Sequence, residues 1–484
     1  MGFLTADFMK SNRRRFLQWA GLSGLGLASN GLFTGVSRAS HLSADAMPDI
    51  LDDKPHVQVF NMSGYSAPKL ETVRLGFIGL GQRGPTHMMN MTKIEGTDIK
   101  AVCDIRAEYA ERAKSRVAKL GFTPEVYSGD SEAWKKVCDR NDIDAIYIAT
   151  HWALHTPIAL YAMEHDKHVF IEVPAALTLD ECWQLVETSE RTKKHCMMLE
   201  NCCYGFTELL TLNMARQGFF GEIIHGEGAY NHNLLHLNFD KEGYWEMWRL
   251  KENAGRNGNL YPTHGLGPIC QVMSINRGDK LDYMISMSGN DYSMGAKAEE
   301  LAATDDFFKP YVGKKYRGNV NVTSIRTHNG RTIMIQHDVS SPNVYSRIDK
   351  VVGTKGTALQ YPLPARISNG GEDWLTPKEV EALEAKYQPP IVKRIGELAK
   401  QVGGHGGMDF LLDWRIVDCL RNGIPLDQDV YDAALWSCIS PLSEWSVANH
   451  SNSIDIPDFT CGSWITNAPV DIMLEKGGNT KIKI

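Results

Sequence analysis

Tyr261-Pro262-Thr263-His264 sets a phenol and an imidazole three residues apart, on one face if the segment is helical. Side by side, the two groups can pass a proton to and from a hydroxyl. Arg249, inside Trp248-Arg249-Leu250, is a forked cation able to hold polar substituents of a ligand. A Tyr-x-x-His pair alone is common in cores and on surfaces. Its meaning depends on what else reaches the same place.

Three strand-like runs end in polar residues. Val169-Phe170-Ile171 runs into Glu172-Val173-Pro174, "CMMLEN" ends in Glu200-Asn201, and "IDAIYIAT" runs into His151-Trp152-Ala153-Leu154-His155. The carboxyl ends of strands in an open α/β sheet line one crevice, where such sheets bind ligands. His155 has two readings, a group in that crevice or a cap of its helix. Upstream, Gly79-x-Gly81-x-x-Gly84 follows an apolar strand and contains Gln82 and Arg83. Its glycines permit a tight turn and close approach of backbone N–H groups to a pyrophosphate at a helix N-terminus. Asp104 lies twenty residues past Gly84, at the end of the next strand, where it can accept hydrogen bonds from both ribose hydroxyls. Its charge repels a 2′-phosphate, so NAD is expected rather than NADP.

The elements needed to position these residues are legible from about Val73. Strands "VRLGFIGLG", "DIKAVCDI", "IDAIYIAT", "HVFIEV" and "HCMMLEN" alternate with helical runs. Gly121 closes one of those helices and Thr178 caps another. This implies a Rossmann domain, a doubly wound parallel sheet, over residues 71–203. Beyond it the texture changes to long alternating strands, such as "GEIIHGEGAYNHN", "KLDYMISMSGN" and "NVNVTSIRTHNGRTIMIQHDV", joined by "HNGR" and "GTKG" turns. A second, α+β domain with a large, open and mostly antiparallel sheet is expected over 204–450. Helices near 407–421 and 429–449 should pack back on the first domain, with an extension at 451–484. "GGHGGMD", centred on His405, reads either as an active-site lip or as the first turn of the next helix.

The N-terminus, "SNRRRFLQWAGLSGLGLASNGLFTGVSRAS", pairs arginines with Phe-Leu, a weakly apolar Gly-rich run and a small-x-small site. It resembles a twin-arginine export signal over residues 1–39, with a linker or arm at 40–70. The expected location is the periplasm or outside the cell, and the export machinery is an expected partner. The apolar run is too short and polar for a membrane span, and the first cysteine is Cys103, so no stable membrane anchor is expected. The net charge of −7, with no basic stripe, speaks against nucleic-acid binding. The ten cysteines show no metal-spaced pairs, so no metal site is expected, and they read as small buried hydrophobes. A homo-oligomer is compatible with the sequence.

The N-terminal half resembles the glucose–fructose oxidoreductase and inositol dehydrogenase superfamily. That superfamily usually follows its strand-end Glu with Lys and Pro, and the lysine aids proton transfer. Here Val173 takes the lysine's place, which argues against an ordinary sugar dehydrogenase. A narrower match agrees. "THWALHTPIAL", "EVPAALTLDECWQLVETSE", "ENCCYG", "GEGAYNHNL", "GNLYPTHGLGP" and "SSPNVYSRIDKVVGTKGT" closely resemble glycoside hydrolase family 109. The resemblance implies an NAD-dependent α-N-acetylgalactosaminidase acting on glycans with a terminal α-linked N-acetylgalactosamine. It further implies that Gln82, Arg83, Asp104, Trp152 to His155, Glu172, Val173 and Asn201 contact NAD. Tyr230, Arg249, Tyr261 to His264 and Tyr345 would contact the sugar, with Tyr261 also touching the nicotinamide.

The same resemblance implies hydrolysis with no net redox change. The sugar is oxidised at C3, loses its C2 proton and then its aglycone, takes up water, and is reduced again. The cofactor would stay tightly bound and be recycled each turnover. No carboxylate pair suited to a two-acid glycosidase stands out. His264 with Tyr261 is the expected catalytic pair, their division of labour open. The alternative is a periplasmic sugar oxidoreductase.

Overall fold

The computed structural model describes residues 56–483, so the expected leader, residues 1–39, lies outside the described residues. β1 (Val73–Ile78), β2 (Thr97–Asp104), β3 (Glu125–Ser128), β4 (Ala145–Ile148), β5 (His168–Ile171) and β6 (Cys196–Met198) form a sheet of order β3-β2-β1-β4-β5-β6. Every pairing in it is parallel. The order reverses between β1 and β4, which opens the crevice expected at a topological switch point. β4, β5 and β6 are buried at every residue, as an apolar strand covered on both faces must be. The edge strand β3 has no counterpart in the sequence reading. Its residues are exposed or half-buried, so it carries no apolar run to announce it. The helix Leu179–Thr192 is capped by Thr178, as the sequence indicated. Glu181 N donates to Thr178 Oγ1 at 3.1 Å, and Thr178 N donates back to the Glu181 carboxylate at 3.1 Å.

The second sheet comprises β7 (Ile223–Asn231), β8 (Leu281–Ser288), β9 (Asn321–Thr327), β10 (Thr332–Asp338), β11 (Lys350–Gly353), β12 (Thr357–Leu359), β13 (Arg366–Ser368) and β14 (Ile454–Asp455). Its order is β13-β12-β11-β7-β10-β9-β8-β14, antiparallel except for the β7–β10 pair. One face is covered and the other open. On β8, Met284 and Ser286 are buried while Tyr283, Ile285 and Met287 are exposed.

One helix ties the sheets together. The helix Val430–Ala448 presents serines to both: Ala175 N donates to Ser437 Oγ (3.1 Å), and Asn259 N and Ser286 N donate to Ser443 and Ser446 Oγ (2.8 Å each). The helix Met408–Asn422 sends Asp413 to His87 and Asn90 beside β1. The chain's last described residues return beside the first sheet, where Ile482 bridges Ile94, ahead of β2, and Thr480 O accepts from Trp414 Nε1 of that helix at 3.1 Å. Nine of the ten cysteines are buried, Cys461 being exposed, and all are free thiols. Among the described residues, no helix is long and apolar enough to cross a membrane.

The helix Thr263–Val272, which carries His264, lies directly on β7, which carries Tyr230. The approach is backbone on backbone. A Cβ on Gly228 would meet Gly265 O at 2.1 Å, and one on Gly265 would meet Ala229 N at 2.4 Å. Two glycines thus set how closely the imidazole and the phenol approach. Gly265→Ala should push this helix off the sheet and cost about 1–3 kcal/mol, read as a lower urea midpoint. Gly371→Ala, where a Cβ meets nothing within 4 Å, should leave the midpoint in place.

Candidate active site

The crevice at the β1/β4 switch point continues to the second sheet. Its wall includes Gly79, Gly81, Gln82, Arg83 and Asp104 at one end, and Tyr230, Arg249, Tyr261 and His264 at the other. Between them lie Trp152, Leu154, His155, Glu172, Val173 and Asn201. Sequence-expected residues from both halves of the chain therefore meet along one wall. Gly84, Ala153, Pro262, Thr263 and Tyr345 do not line it. Gly84 works from behind, since a Cβ there would fall 1.9 Å from Gly79 O. Tyr345 packs edge-on against His232, which does line the crevice, with ring centroids 5.0 Å apart.

The glycine turn fits a dinucleotide. Gly79 has φ +90° and sits against the Ala149 backbone, so only glycine is accommodated there. Gly81 opens to the crevice, with Arg106 Nη2 as the nearest group a Cβ would meet, at 3.8 Å. Asp104 is held rigidly, accepting from Leu80 N (2.7 Å) through Oδ2 and from Arg106 N (2.9 Å) through Oδ1. The Arg106 guanidinium lies over the Tyr109 ring at 3.4 Å and 5.1 Å from that of Trp245, so it closes over this end. Gln82 spans to the second unit, donating to Gly243 O at 2.7 Å.

Arg83 lines the crevice, and its side chain is spent on protein carboxylates. Nε donates to Glu172 Oε1 (2.8 Å), and the two terminal nitrogens donate to Asp409 at 3.0 and 3.2 Å. Its guanidinium also reaches His405 Nδ1 at 3.3 Å. Glu172 has a second partner, His87, whose Nε2 lies 2.8 Å away while its Nδ1 lies 2.9 Å from Asp413. Burial alone would raise the Glu172 pKa, but the Arg83 and His87 charges outweigh it and hold the carboxyl at about 2. Burial likewise opposes charge on His87, yet Asp413 and Glu172 push its pKa up to about 10. Glu172 is a fixed anion at the strand tip, in keeping with its not serving as a glycosidase acid.

At the other end, Tyr261 is buried, with one side on the crevice. Its ring lies 4.5 Å from that of Tyr230, 4.9 Å from His264 and 5.9 Å from Trp152, with the Arg249 guanidinium 4.9 Å away. Burial pushes its phenol pKa well above 10, so it stays protonated at neutral pH. Arg249 Nη1 donates to Tyr244 OH at 2.9 Å. His264, the second residue of its helix, turns Nδ1 toward Glu200 at 2.7 and 2.9 Å from the two oxygens. Burial would raise the Glu200 pKa, but His264 outweighs it and the carboxyl is held below its ordinary value. This is a carboxylate–imidazole dyad, with Nε2 left as the other proton-bearing position. Cys202 Sγ joins Glu200 and His264 as a third donor, all within 4.8 Å of one another. Its backbone N–H donates to Glu200 Oε1 at 3.0 Å.

Sequence reasoning placed Glu200 at a strand end but gave it no partner, and it missed His87, Asp409, Asp413, His232 and Tyr244. Asp409 lies 326 positions from Arg83, and no local pattern reveals such a pairing. His155 satisfies one of its two readings. It lines the crevice, with its ring nitrogens 2.7 Å from Pro174 O and 3.1 Å from Thr150 O, and its side chain caps no helix. His405 satisfies both of its readings. It begins a 3₁₀ turn, His405–Gly407, entering the helix Met408–Asn422, and it also stands at the crevice rim. Gly403 to Gly407 all have positive φ, from 47° at His405 to 106° at Gly407, which four glycines make affordable.

A Rossmann crevice joined to an open-sheet domain defines the class, that of NAD-binding oxidoreductase folds. Residues 73–200 match the family described as an oxidoreductase family with an NAD-binding Rossmann fold, and residues 204–466 match the C-terminal domain of glycosyl hydrolase 109. A glycosyl hydrolase family 109 protein of Shewanella pealeana is 44% identical over 470 residues, 96% of this chain and all of that one. One from Bacteroides thetaiotaomicron is 47% identical, covering 82% of this chain and 86% of that one. The chain belongs to glycoside hydrolase family 109 and is a glycosidase that binds NAD(H). Solved structures share the fold at low identity. Levoglucosan dehydrogenase in complex with NADH and levoglucosan has a TM-score of 0.58 at 16% identity, over 80% of this chain and all of that one. The aldose–aldose oxidoreductase of Caulobacter crescentus has a TM-score of 0.55 at 15% identity, with the same coverage.

Two outcomes follow. Asp104→Asn removes a charge-assisted acceptor worth about 1.5–3 kcal/mol and should weaken NAD binding roughly 10- to 100-fold in a fluorescence titration. His87, with a pKa raised from 6.5 to about 10, contributes stability in full below about 6.5 and loses it as pH rises through about 10. Thermal midpoints of the parent should therefore fall between pH 7 and 10, and His87→Gln should flatten that slope.

Proposed function

We propose that the protein removes terminal α-linked N-acetylgalactosamine from glycans by a redox-neutral route, with NAD held tightly and recycled. The observation that carries this reading is that His264, paired to the buried Glu200, faces the same crevice as the glycine turn and Asp104. Bound NAD supplies a reversible hydride acceptor at one sugar carbon. The chain supplies everything else. Asp104 and the Gly79–Gly81 backbone hold the adenosine and pyrophosphate end, with Glu172, Val173 and Asn201 at the nicotinamide end. Arg249 holds polar substituents of the sugar in a buried, aromatic-walled site. His264, oriented by Glu200, is positioned to take a proton through Nε2, and Tyr261 is a neutral phenol beside it. A ketone at C3 makes the neighbouring C2 proton acidic, so a single base can open the route to aglycone departure.

Val173 supports this reading over a plain oxidoreductase. It is 4% exposed and fills, with a packed apolar side chain, the position where the dehydrogenases carry a lysine. The N-terminal arginine pair supports export by the twin-arginine route, which carries folded, cofactor-loaded proteins. Recycling would then free the enzyme from any outside supply of NAD.

Purified protein should release the aryl group from an aryl α-N-acetylgalactosaminide without lasting NADH absorbance. Stoichiometric NADH accumulation would point instead to a net oxidoreductase, and inactivity on every α-N-acetylhexosaminide would sink the proposal. His264→Ala should lower kcat by about 10²–10⁴, the usual range for a general base. Glu200→Gln should lower kcat with less effect on KM.

A further inference from the structure

His232 stands just past β7 and is used by nothing above. It shares the strand's inward face with Tyr230, two residues earlier, and its Nδ1 lies 3.1 Å from the Tyr230 hydroxyl. Its backbone N–H is fixed on Asp338 O at 2.8 Å, and the Tyr345 ring packs edge-on against the imidazole. The side chain is half-buried and lines the crevice. Burial lowers its pKa first, and the nearby Arg249, His264 and His405 lower it further. The imidazole is therefore neutral at neutral pH. With its proton on Nε2, Nδ1 is free to accept the phenol's hydrogen.

Tyr230 sits between that acceptor and a cation. Burial raises its phenol pKa, while Arg249, by charge and hydrogen bond, pulls against the rise. Its ring lies 4.5 Å from Tyr261 and 5.3 Å from His264. Donating its own hydrogen toward His232 turns the oxygen's lone pairs toward Arg249 and the crevice. A phenol so arranged can receive one proton while handing on another.

We propose that Tyr230 and His232 form a proton relay for a sugar hydroxyl, which rests on the reading that this crevice oxidises and re-reduces a sugar. As the C–H bond of the hydroxyl carbon breaks, with the hydride going to the NAD that the crevice would hold, the sugar O–H bond breaks and an O–H bond forms at Tyr230. The Tyr230 O–H breaks in turn and an N–H bond forms at His232 Nδ1. The relay moves one proton and no electrons, and it runs backward on reduction. It leaves His264, tied to Glu200, free for the carbon-bound proton, so two proton transfers have two separate stations.

His232→Asn tests this, since the asparagine oxygen can stand where Nδ1 stands and accept from Tyr230 but cannot take up a proton at neutral pH. NAD binding by fluorescence titration and KM for an aryl α-N-acetylgalactosaminide should stay within about threefold, while kcat falls about 100-fold. A purely structural histidine would be rescued by asparagine, so turnover within twofold of the parent overturns the relay. A second readout needs no turnover. In ¹⁵N-histidine NMR of the holoenzyme, His232 should be the Nε2–H tautomer, and Tyr230→Phe should shift its titration. An Nδ1–H tautomer, or a titration unmoved by Tyr230→Phe, overturns the relay. If the parent proves inactive on glycosides, the glycosidase reading fails, and the NMR result still decides the relay.

Discussion

Glu200 is a fully buried carboxylate at the end of the first sheet, and its partner His264 comes from a helix of the second unit. A buried charge left unpaired would cost several kcal/mol. Only a close, fixed junction between the two sheets supplies the pairing. The Gly228–Gly265 contact lets the helix reach β7, and the serines of Val430–Ala448 fasten β8 and the Asn259 loop to the first unit. The same hydrogen bond that satisfies Glu200 orients the imidazole. The stability of the junction and the aim of His264 thus depend on one interaction.

A second buried charge set braces the cofactor end. Arg83 joins Glu172 at the tip of β5 to Asp409 at the start of the helix Met408–Asn422, and His87 repeats the link through Asp413 one turn further on. Burial penalises each of these groups, and together they satisfy one another. His405 shares Asp409 with Arg83, so the glycine-rich entry turn of that helix is anchored to the crevice through one carboxylate.

The first sheet was legible because its signals are local: an apolar strand, three spaced glycines, an aspartate at the next strand end and a capping threonine. β3 was not, because an edge strand of four partly exposed residues has no apolar pattern. In the site, Tyr261, His264 and Arg249 were legible by type and spacing, and Glu172 by its place after an apolar run. Their partners were not. Glu200 and His264 are 64 positions apart, and Arg83 and Asp409 are 326 apart, so each pairing exists only once distant parts of the chain have folded together. Tyr345 was named through family resemblance, and it stands behind His232 rather than on the wall. His232 itself was overlooked because "AYNHN" reads as the end of a strand.

Val173 excludes the lysine proton carrier from the β5 tip, and the groups able to move protons gather instead at the second sheet. A base acting on a carbon-bound proton next to a transient ketone leaves an isotopic record. Turnover of an aryl α-N-acetylgalactosaminide in D₂O, followed by proton NMR of the released sugar, should show deuterium at C2 in every product molecule. Release of the sugar with its C2 hydrogen fully retained would contradict the elimination route while leaving the fold and the cofactor site as described.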